Sequence, residues 1–218
     1  LNRVQDMVIQ NKERITEALN ADFGTRSPNQ SLISDVYGVL PAFSHAKKHL
    51  KSWMKDEKRK SNFPFGLMGA KSYIHREPLG IVGMISPWNF PMYLSLAPLA
   101  GIFSAGNQVM HKPSEFTPIT SELLKEICDG AFDETEFATF LGGPDVGAAF
   151  TQLKFDHLLF TGSGNIGKHV MRAASENLVP VTLELGGKSP VIVSDSSNID
   201  ITARRVMFNK TLNAGQIC

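Results

Sequence analysis

A thiol, a carboxylate and an amide stand in glycine- or proline-rich stretches of this chain, where irregular backbone holds side chains for chemistry rather than for packing. Cys218 ends the polar turn Asn213-Ala214-Gly215-Gln216-Ile217-Cys218. A free cysteine is partly thiolate at neutral pH and is a candidate nucleophile, although an unpartnered thiol is weak evidence taken alone. Glu184 stands near the end of the apolar run Val179–Leu185, between Leu183 and Leu185 and just before Gly186-Gly187. A carboxylate desolvated at the end of a buried strand can serve as a general base; equally, it can be the acid that holds the ribose of a dinucleotide, and position alone leaves both readings open. Asn89 lies in Ser86-Pro87-Trp88-Asn89-Phe90-Pro91. Two prolines and flanking aromatics would fix its amide to donate to a developing oxyanion, or place it as the cap of the next helix.

Two further groups have the chemistry of ligand binding. Phe160-Thr161 closes an apolar run and breaks into Gly162-Ser163-Gly164-Asn165-Ile166-Gly167, after which a helical pattern begins. Strand, glycine-rich turn and helix in that order let backbone approach a pyrophosphate and aim helix-start amides at it. Lys112-Pro113-Ser114-Glu115 offers an ammonium and a carboxylate suited to vicinal ribose hydroxyls; its plainer reading is a helix start with a Ser/Glu signal. Cys128, with Leu123, Leu124 and Ile127 on the apolar side of a helix, reads as core. His45 and His49 are one helical turn apart, but no third ligand completes a metal site nearby.

The elements that must position these groups follow from periodicity. Arg3 to Leu19 reads as one amphipathic helix ending near Gly24, and Leu32 to Met54 as a second helical region interrupted at Pro41. The basic run from Lys47 to Lys60 reads as a solvated face rather than a membrane or nucleic-acid surface. Residues 67–79 read as a hairpin arm, extended over Lys71 to Pro78, of the kind that reaches another domain or subunit, with a surface hairpin as the plainer reading. Strands are expected near Ile81–Ser86, Gln108–His111, Phe137–Leu141, Asp156–Thr161 and Val179–Leu185, with helices between. That alternation implies an α/β fold with a doubly wound, mainly five-stranded parallel sheet behind N-terminal helices. Residues 1–186 would form the dinucleotide-binding domain and 187–218 the start of a second α/β domain. The loops Pro87–Pro91, Lys112–Pro118, Gly142–Asp145, Gly162–Gly167 and Gly186–Lys188 then fall on one edge, at the carboxyl ends of the strands.

Composition bounds the partners. The 218 residues are 42% hydrophobic and 20% charged, and 22 basic against 21 acidic side chains give a net charge of +1. Such a chain buries a sizeable core but presents no field for nucleic acid or an anionic membrane, so small molecules or protein subunits are expected. No apolar run is long enough to span a bilayer. Two cysteines without a CxxC give neither a disulfide framework nor zinc-ligand spacing, which fits a reducing compartment, most simply the cytoplasm. A chain that begins at Leu1 and stops at Cys218 reads as a piece of something longer.

Taken together, PWNFP at Pro87–Pro91, KPSE at Lys112–Glu115 after Gly106-Asn107, FTGS at Phe160–Ser163, LELGGKSP at Leu183–Pro190 and GQIC at Gly215–Cys218 resemble the NAD(P)-dependent aldehyde dehydrogenase superfamily. The motifs stand in that family's order and cover nearly the whole chain. In detail they resemble the bacterial coniferyl aldehyde dehydrogenase group, which is similar to the dimeric branch of the family. The resemblance implies oxidation of an aldehyde to its acid through a thiohemiacetal and thioester on Cys218. Asn89 would be the oxyanion donor and Glu184 the general base. Lys112 and Glu115 would grip the adenosine ribose, Ser163 and the adjoining helix start would touch the pyrophosphate, and Ser86, Pro87, Trp88, Ser114, Gly162, Gly167 and Leu185 would complete the cofactor site. It also implies a homodimer or higher homo-oligomer and no metal. Glu115 should repel a 2′-phosphate, which favours NAD, with NADP as the second cofactor. A short-chain dehydrogenase would need a Tyr-x-x-x-Lys pair, and Tyr37, Tyr73 and Tyr93 are followed by Pro41, Glu77 and Ala97. A CoA-acylating enzyme would not need Glu184, and a non-catalytic binding protein would need none of the three groups.

Overall fold

The computed structural model describes residues 1–218. The expected first helix is two: α1 (Asn2–Gln10) and α2 (Lys12–Phe23) meet at Asn11, whose non-helical backbone (φ −107, ψ 15) bends the chain while Val4, Met7 and Val8 on one side and Ile15, Ala18 and Leu19 on the other stay buried. Gly24, at φ 74, ends α2 as read. A short helix α3 (Pro28–Ser31) runs into a π-helical turn over Leu32–Tyr37, and Pro41 sits in the first turn of α4 (Leu40–Trp53), where its missing N–H costs nothing. The hairpin arm begins earlier than 67: β1 (Glu57–Arg59), the end of the basic run, pairs antiparallel with β2 (Ser72–Ile74), and the tip between them exposes Phe63, Phe65, Leu67 and Met68. Three charged residues in a row hid that short strand from periodicity.

From residue 81 the alternation holds. The order is β3 (Ile81–Ile85), α5 (Pro91–Leu96), α6 (Leu99–Ser104), β4 (Gln108–Lys112), α7 (Pro118–Asp129), β5 (Phe137–Thr139), α8 (Pro144–Thr151), β6 (His157–Gly162), α9 (Gly164–Ser175), β7 (Val181–Leu185) and α10 (Ile199–Thr211). The five long-range strands form one parallel sheet in the order β5-β4-β3-β6-β7. Strict alternation sorts their residues between two cores. Met84, Val109, Phe137 and Leu159 face the helices α1, α2 and α4 to α7, whereas Ile85, Met110, Leu158, Phe160, Val181 and Leu183 face the side covered by α9. Cys128 lies wholly inside the first core, as read, and burial pushes its thiol well above the ordinary value.

Two consequences position a site. The chain reverses its direction of growth between β3 and β6, so a crevice opens beyond their carboxyl ends, beside Ser86 and Gly162. Residues 187–218 lie largely exposed, with Asn213 alone buried among them, and α10 covers no core. No helix is long and apolar enough to cross a membrane.

Candidate active site

The turn after β6 has the expected geometry. Ser163 caps α9, its hydroxyl accepting from the Ile166 amide at 3.4 Å and its carbonyl from the Gly167 amide at 2.9 Å. The first amides of the helix, at Gly164 and Asn165, have no partner within the helix. The last glycine does a different job from ligand approach: a Cβ on Gly167 would sit 3.0 Å from Leu185 Cδ2, so Gly167 and Leu185 are the seam where α9 lies close on the sheet.

At the end of β4, Lys112 is almost wholly buried and its ammonium reaches Glu115 at 2.8 Å and the Pro113 carbonyl at 3.0 Å. Partial burial pushes the Glu115 carboxyl up, but the Lys112 hydrogen bond and charge pull it down further, leaving it below its usual range. Helix α7 starts only at Pro118, so the helix-start reading of this loop does not hold. The α7 amides of Ile119 and Thr120 are capped instead by the Asp22 carboxylate of α2, at 3.1 and 2.7 Å. Ser114 is turned to its own loop, accepting from the Phe116 amide at 3.2 Å.

Ser86 is buried too. Its hydroxyl is shared between Ser95 at 2.7 Å and His111 Nε2 at 2.8 Å, and its amide donates to the Lys112 carbonyl at 3.2 Å. Any cofactor contact it makes therefore falls to its carbonyl. Burial drives the His111 pKa down to about 3, so the ring is neutral. Next in line, Pro87 and Trp88 are half-buried, with the Trp88 ring 6.3 Å from that of Phe23.

Asn89 does not cap α5. That helix takes its cap from Asp35, whose carboxylate accepts the Met92 and Tyr93 amides at 3.1 and 3.2 Å. Asp35 also holds the Arg26 guanidinium at 2.5 Å, with the two side chains 0% and 3% exposed. Burial raises the Asp35 carboxyl and lowers the Arg26 guanidinium, but only a carboxylate can accept from Arg26, the Ser34 hydroxyl and two amides together, so the pair is charged. Arg26 in turn donates to the Asn89 carbonyl at 3.0 Å. No periodicity marks Arg26 or Asp35 as site residues; a charged pair nine positions apart, one in a loop and one in a helix, carries no signal of burial.

The Asn89 side chain crosses to the far end of the chain. Its Nδ2 donates to the Gln216 carbonyl at 3.1 Å and the Ile217 carbonyl at 2.7 Å, directly before Cys218, while its Oδ1 is buried without a partner. The Cys218 carbonyl accepts from the Gly187 amide at 2.5 Å, and a Cβ on Gly186 would meet that oxygen. The backbones carrying Asn89, Glu184 and Cys218 thus converge on one place. Cys218 is exposed there.

Glu184 corrects one expectation. It pairs with Thr161, faces away from α9, and is exposed, as is Leu185. Its strand is the last of the sheet and pairs on one side only, so the flanking leucines bury neither the carboxylate nor the strand end. His45 and His49 stack with Trp53 along α4.

The residues 1–218 match the model of the aldehyde dehydrogenase family throughout. The chain belongs to the aldehyde dehydrogenase family. It is 57% identical over its whole length to the "Probable coniferyl aldehyde dehydrogenase" of Caulobacter vibrioides, of which it covers 45%. The structure of the Staphylococcus aureus AldH in a substrate-bound state superposes with a TM-score of 0.93 at 38% identity, over 99% of this chain and 46% of that one. The NAD+ complex of a Bacillus cereus aldehyde dehydrogenase gives 0.87 at 26% identity, over 99% of this chain and 43% of that one. The chain thus spans less than half the length of the aldehyde dehydrogenases it matches.

Proposed function

We propose that the protein to which these residues belong oxidises an aldehyde to its carboxylic acid with NAD(P)+, using Cys218 as nucleophile, Asn89 as oxyanion donor and Glu184 as general base. The observation that carries this reading is the cross-tie that seats the Cys218 turn on Asn89 and on Gly186-Gly187, which brings a thiol, an amide and a carboxylate from distant parts of the chain to one edge. The crevice edge carries groups of the kinds a dinucleotide needs. The α9 start at Ser163 would receive the pyrophosphate, the Lys112–Glu115 pair the adenosine ribose, and the carbonyl of Ser86 with Pro87 and Trp88 would line the rest beside Gly162. When bound, the nicotinamide supplies a hydride acceptor.

The Cys218 thiolate adds to the aldehyde carbon, forming the C–S bond of a thiohemiacetal. Its oxyanion accepts hydrogen bonds from the Asn89 amide and the Cys218 N–H, a kind of donor worth about 3 kcal/mol each. In this structure both Asn89 Nδ2 hydrogens are held by Gln216 and Ile217, so serving the oxyanion means releasing one of them. After oxidation leaves a thioester on Cys218, Glu184 removes a proton from water, which adds to the thioester carbon and frees the acid and the thiol.

The likeness to coniferyl aldehyde dehydrogenases favours an aromatic, coniferyl aldehyde-like substrate. The exposed apolar tip of the β1–β2 arm favours a homodimer or higher oligomer, and two free cysteines favour the cytoplasm. The decisive measurement is NADH formation by the full-length protein on a panel of aromatic and aliphatic aldehydes, with Cys218→Ala as control. Turnover that survives Cys218→Ala removes the thioester route.

A further inference from the structure

Asn213 is the single buried residue between 187 and 218, at 8% exposure, and every polar atom of its side chain is used. Nδ2 donates to the Asn89 carbonyl at 2.8 Å and the Gln216 carbonyl at 3.0 Å, and Oδ1 accepts from Gln30 Nε2 at 3.0 Å. Asn89 returns the bond, its own Nδ2 reaching Gln216 and Ile217. Two amides are thus crossed between the PWNFP loop and the turn that carries the thiol, and Gln30, outside both loops, fixes the orientation of one of them.

The backbone around this tie is unusual. Asn213 and Ala214 lie in the left-handed region at φ 51 and 53, followed by Gly215 at φ 79. Non-glycine residues adopt this conformation only where surroundings impose it, and asparagine tolerates it best. Glycine at 213 would supply the backbone without the amide; alanine would lose the amide and take up this backbone only at a cost, as Ala214 does. The need for both at one position explains an asparagine there.

We propose that Asn213 is a positioning residue: its side-chain amide, oriented by Gln30, sets the distance between the Asn89 amide and the Cys218 sulfur. The proposal rests on the roles given above to Asn89 and Cys218. Loss of the tie would leave the thiol turn held only by the Asn89 side chain and by the Gly187 amide on the Cys218 carbonyl, and a displacement of about 1 Å at a reacting atom costs on the order of a hundredfold in rate.

The test uses the full-length protein with Asn213→Gly, Asn213→Ala and Gln30→Met, reading kcat and KM for an aldehyde, NAD affinity, melting temperature and the rate of Cys218 alkylation by iodoacetamide. For Asn213→Gly, a fall in kcat of about tenfold or more is expected with NAD affinity within about twofold, together with an altered alkylation rate. Asn213→Ala should lose more, and Gln30→Met should change in the same direction by less. Asn213→Gly with unchanged kcat and alkylation rate overturns the proposal, since the backbone alone would then matter. So does a loss of NAD affinity as large as the loss of kcat, which would mark general damage. If Asn213→Gly does not fold, Gln30→Met decides on the same readings. A wild-type protein that oxidises no aldehyde defeats the proposed function instead, and the alkylation rates still decide whether Asn213 places the thiol.

Discussion

Glu184 and Glu115 are both carboxylates at strand ends, and their surroundings assign them different tasks. Glu184 stands three residues before the Gly187 amide that binds the Cys218 carbonyl, whereas Glu115 is held by Lys112 at 2.8 Å on the other side of the crevice. Glu184→Gln in the full-length protein should keep NAD affinity and give a single burst of NADH, after which steady-state turnover is slower by about 10²–10⁴-fold because the thioester persists. Normal turnover with weak NAD binding would return Glu184 to the ribose. Glu115→Ala should do the reverse, raising the KM for NAD by about tenfold with kcat little changed, and shifting preference toward NADP because the unpaired Lys112 then favours a 2′-phosphate. Steady-state kinetics with both cofactors measures it.

At the scale of elements, the loop that carries Asn89 is held by charge buried under it. Arg26 binds the Asn89 carbonyl and Asp35 caps α5 immediately afterwards, so one ion pair fixes both sides of Phe90-Pro91. Removing one partner leaves the other charged and desolvated. Asp35→Asn should therefore destabilise the fold by about 3–5 kcal/mol, read as a lower urea midpoint, whereas Arg3→Ala, which breaks an exposed pair with Glu136, should change it by less than about 1 kcal/mol. Equal effects would show that burial of the first pair is unimportant. Elements of this kind were only half legible in the chain. The five strands and the glycine turn announced themselves by period and punctuation, but β1 is three charged residues whose strand exists only through pairing with Ser72–Ile74.

Across the whole molecule, the buried His111 ring should make stability fall on the acid side. Its folded pKa is about 3 against 6.5 for the free side chain, so between those values the unfolded chain takes up a proton that the folded one refuses. Stability from this group is complete above pH 6.5 and declines below it by up to about 1.4 kcal/mol per pH unit. Glu115, Asp133 and Glu136, whose pKa values lie below the usual range, act in the same direction as they protonate. The contribution of His111 is therefore the difference between wild type and His111→Gln in urea unfolding followed from pH 7 to pH 4. The variant should show the shallower slope, and identical slopes would mean that the ring protonates without cost.

Local order was decided along the chain: alternating apolar residues made strands, Gly162 to Gly167 made a strand–turn–helix, and Cys128 on an apolar helix face went to the core, because each depends on near neighbours. Which loops meet was not. Asn89 with Gln216 and Ile217, Arg26 with the Asn89 carbonyl, and Asn213 with the Asn89 carbonyl are contacts between segments far apart in the chain, and only the tertiary fold brings them within reach. The burial of Glu184 was not legible either: a strand's burial depends on what lies beside it, and the run Val-Thr-Leu-Glu-Leu reads the same whether β7 pairs on one side, as here, or on both.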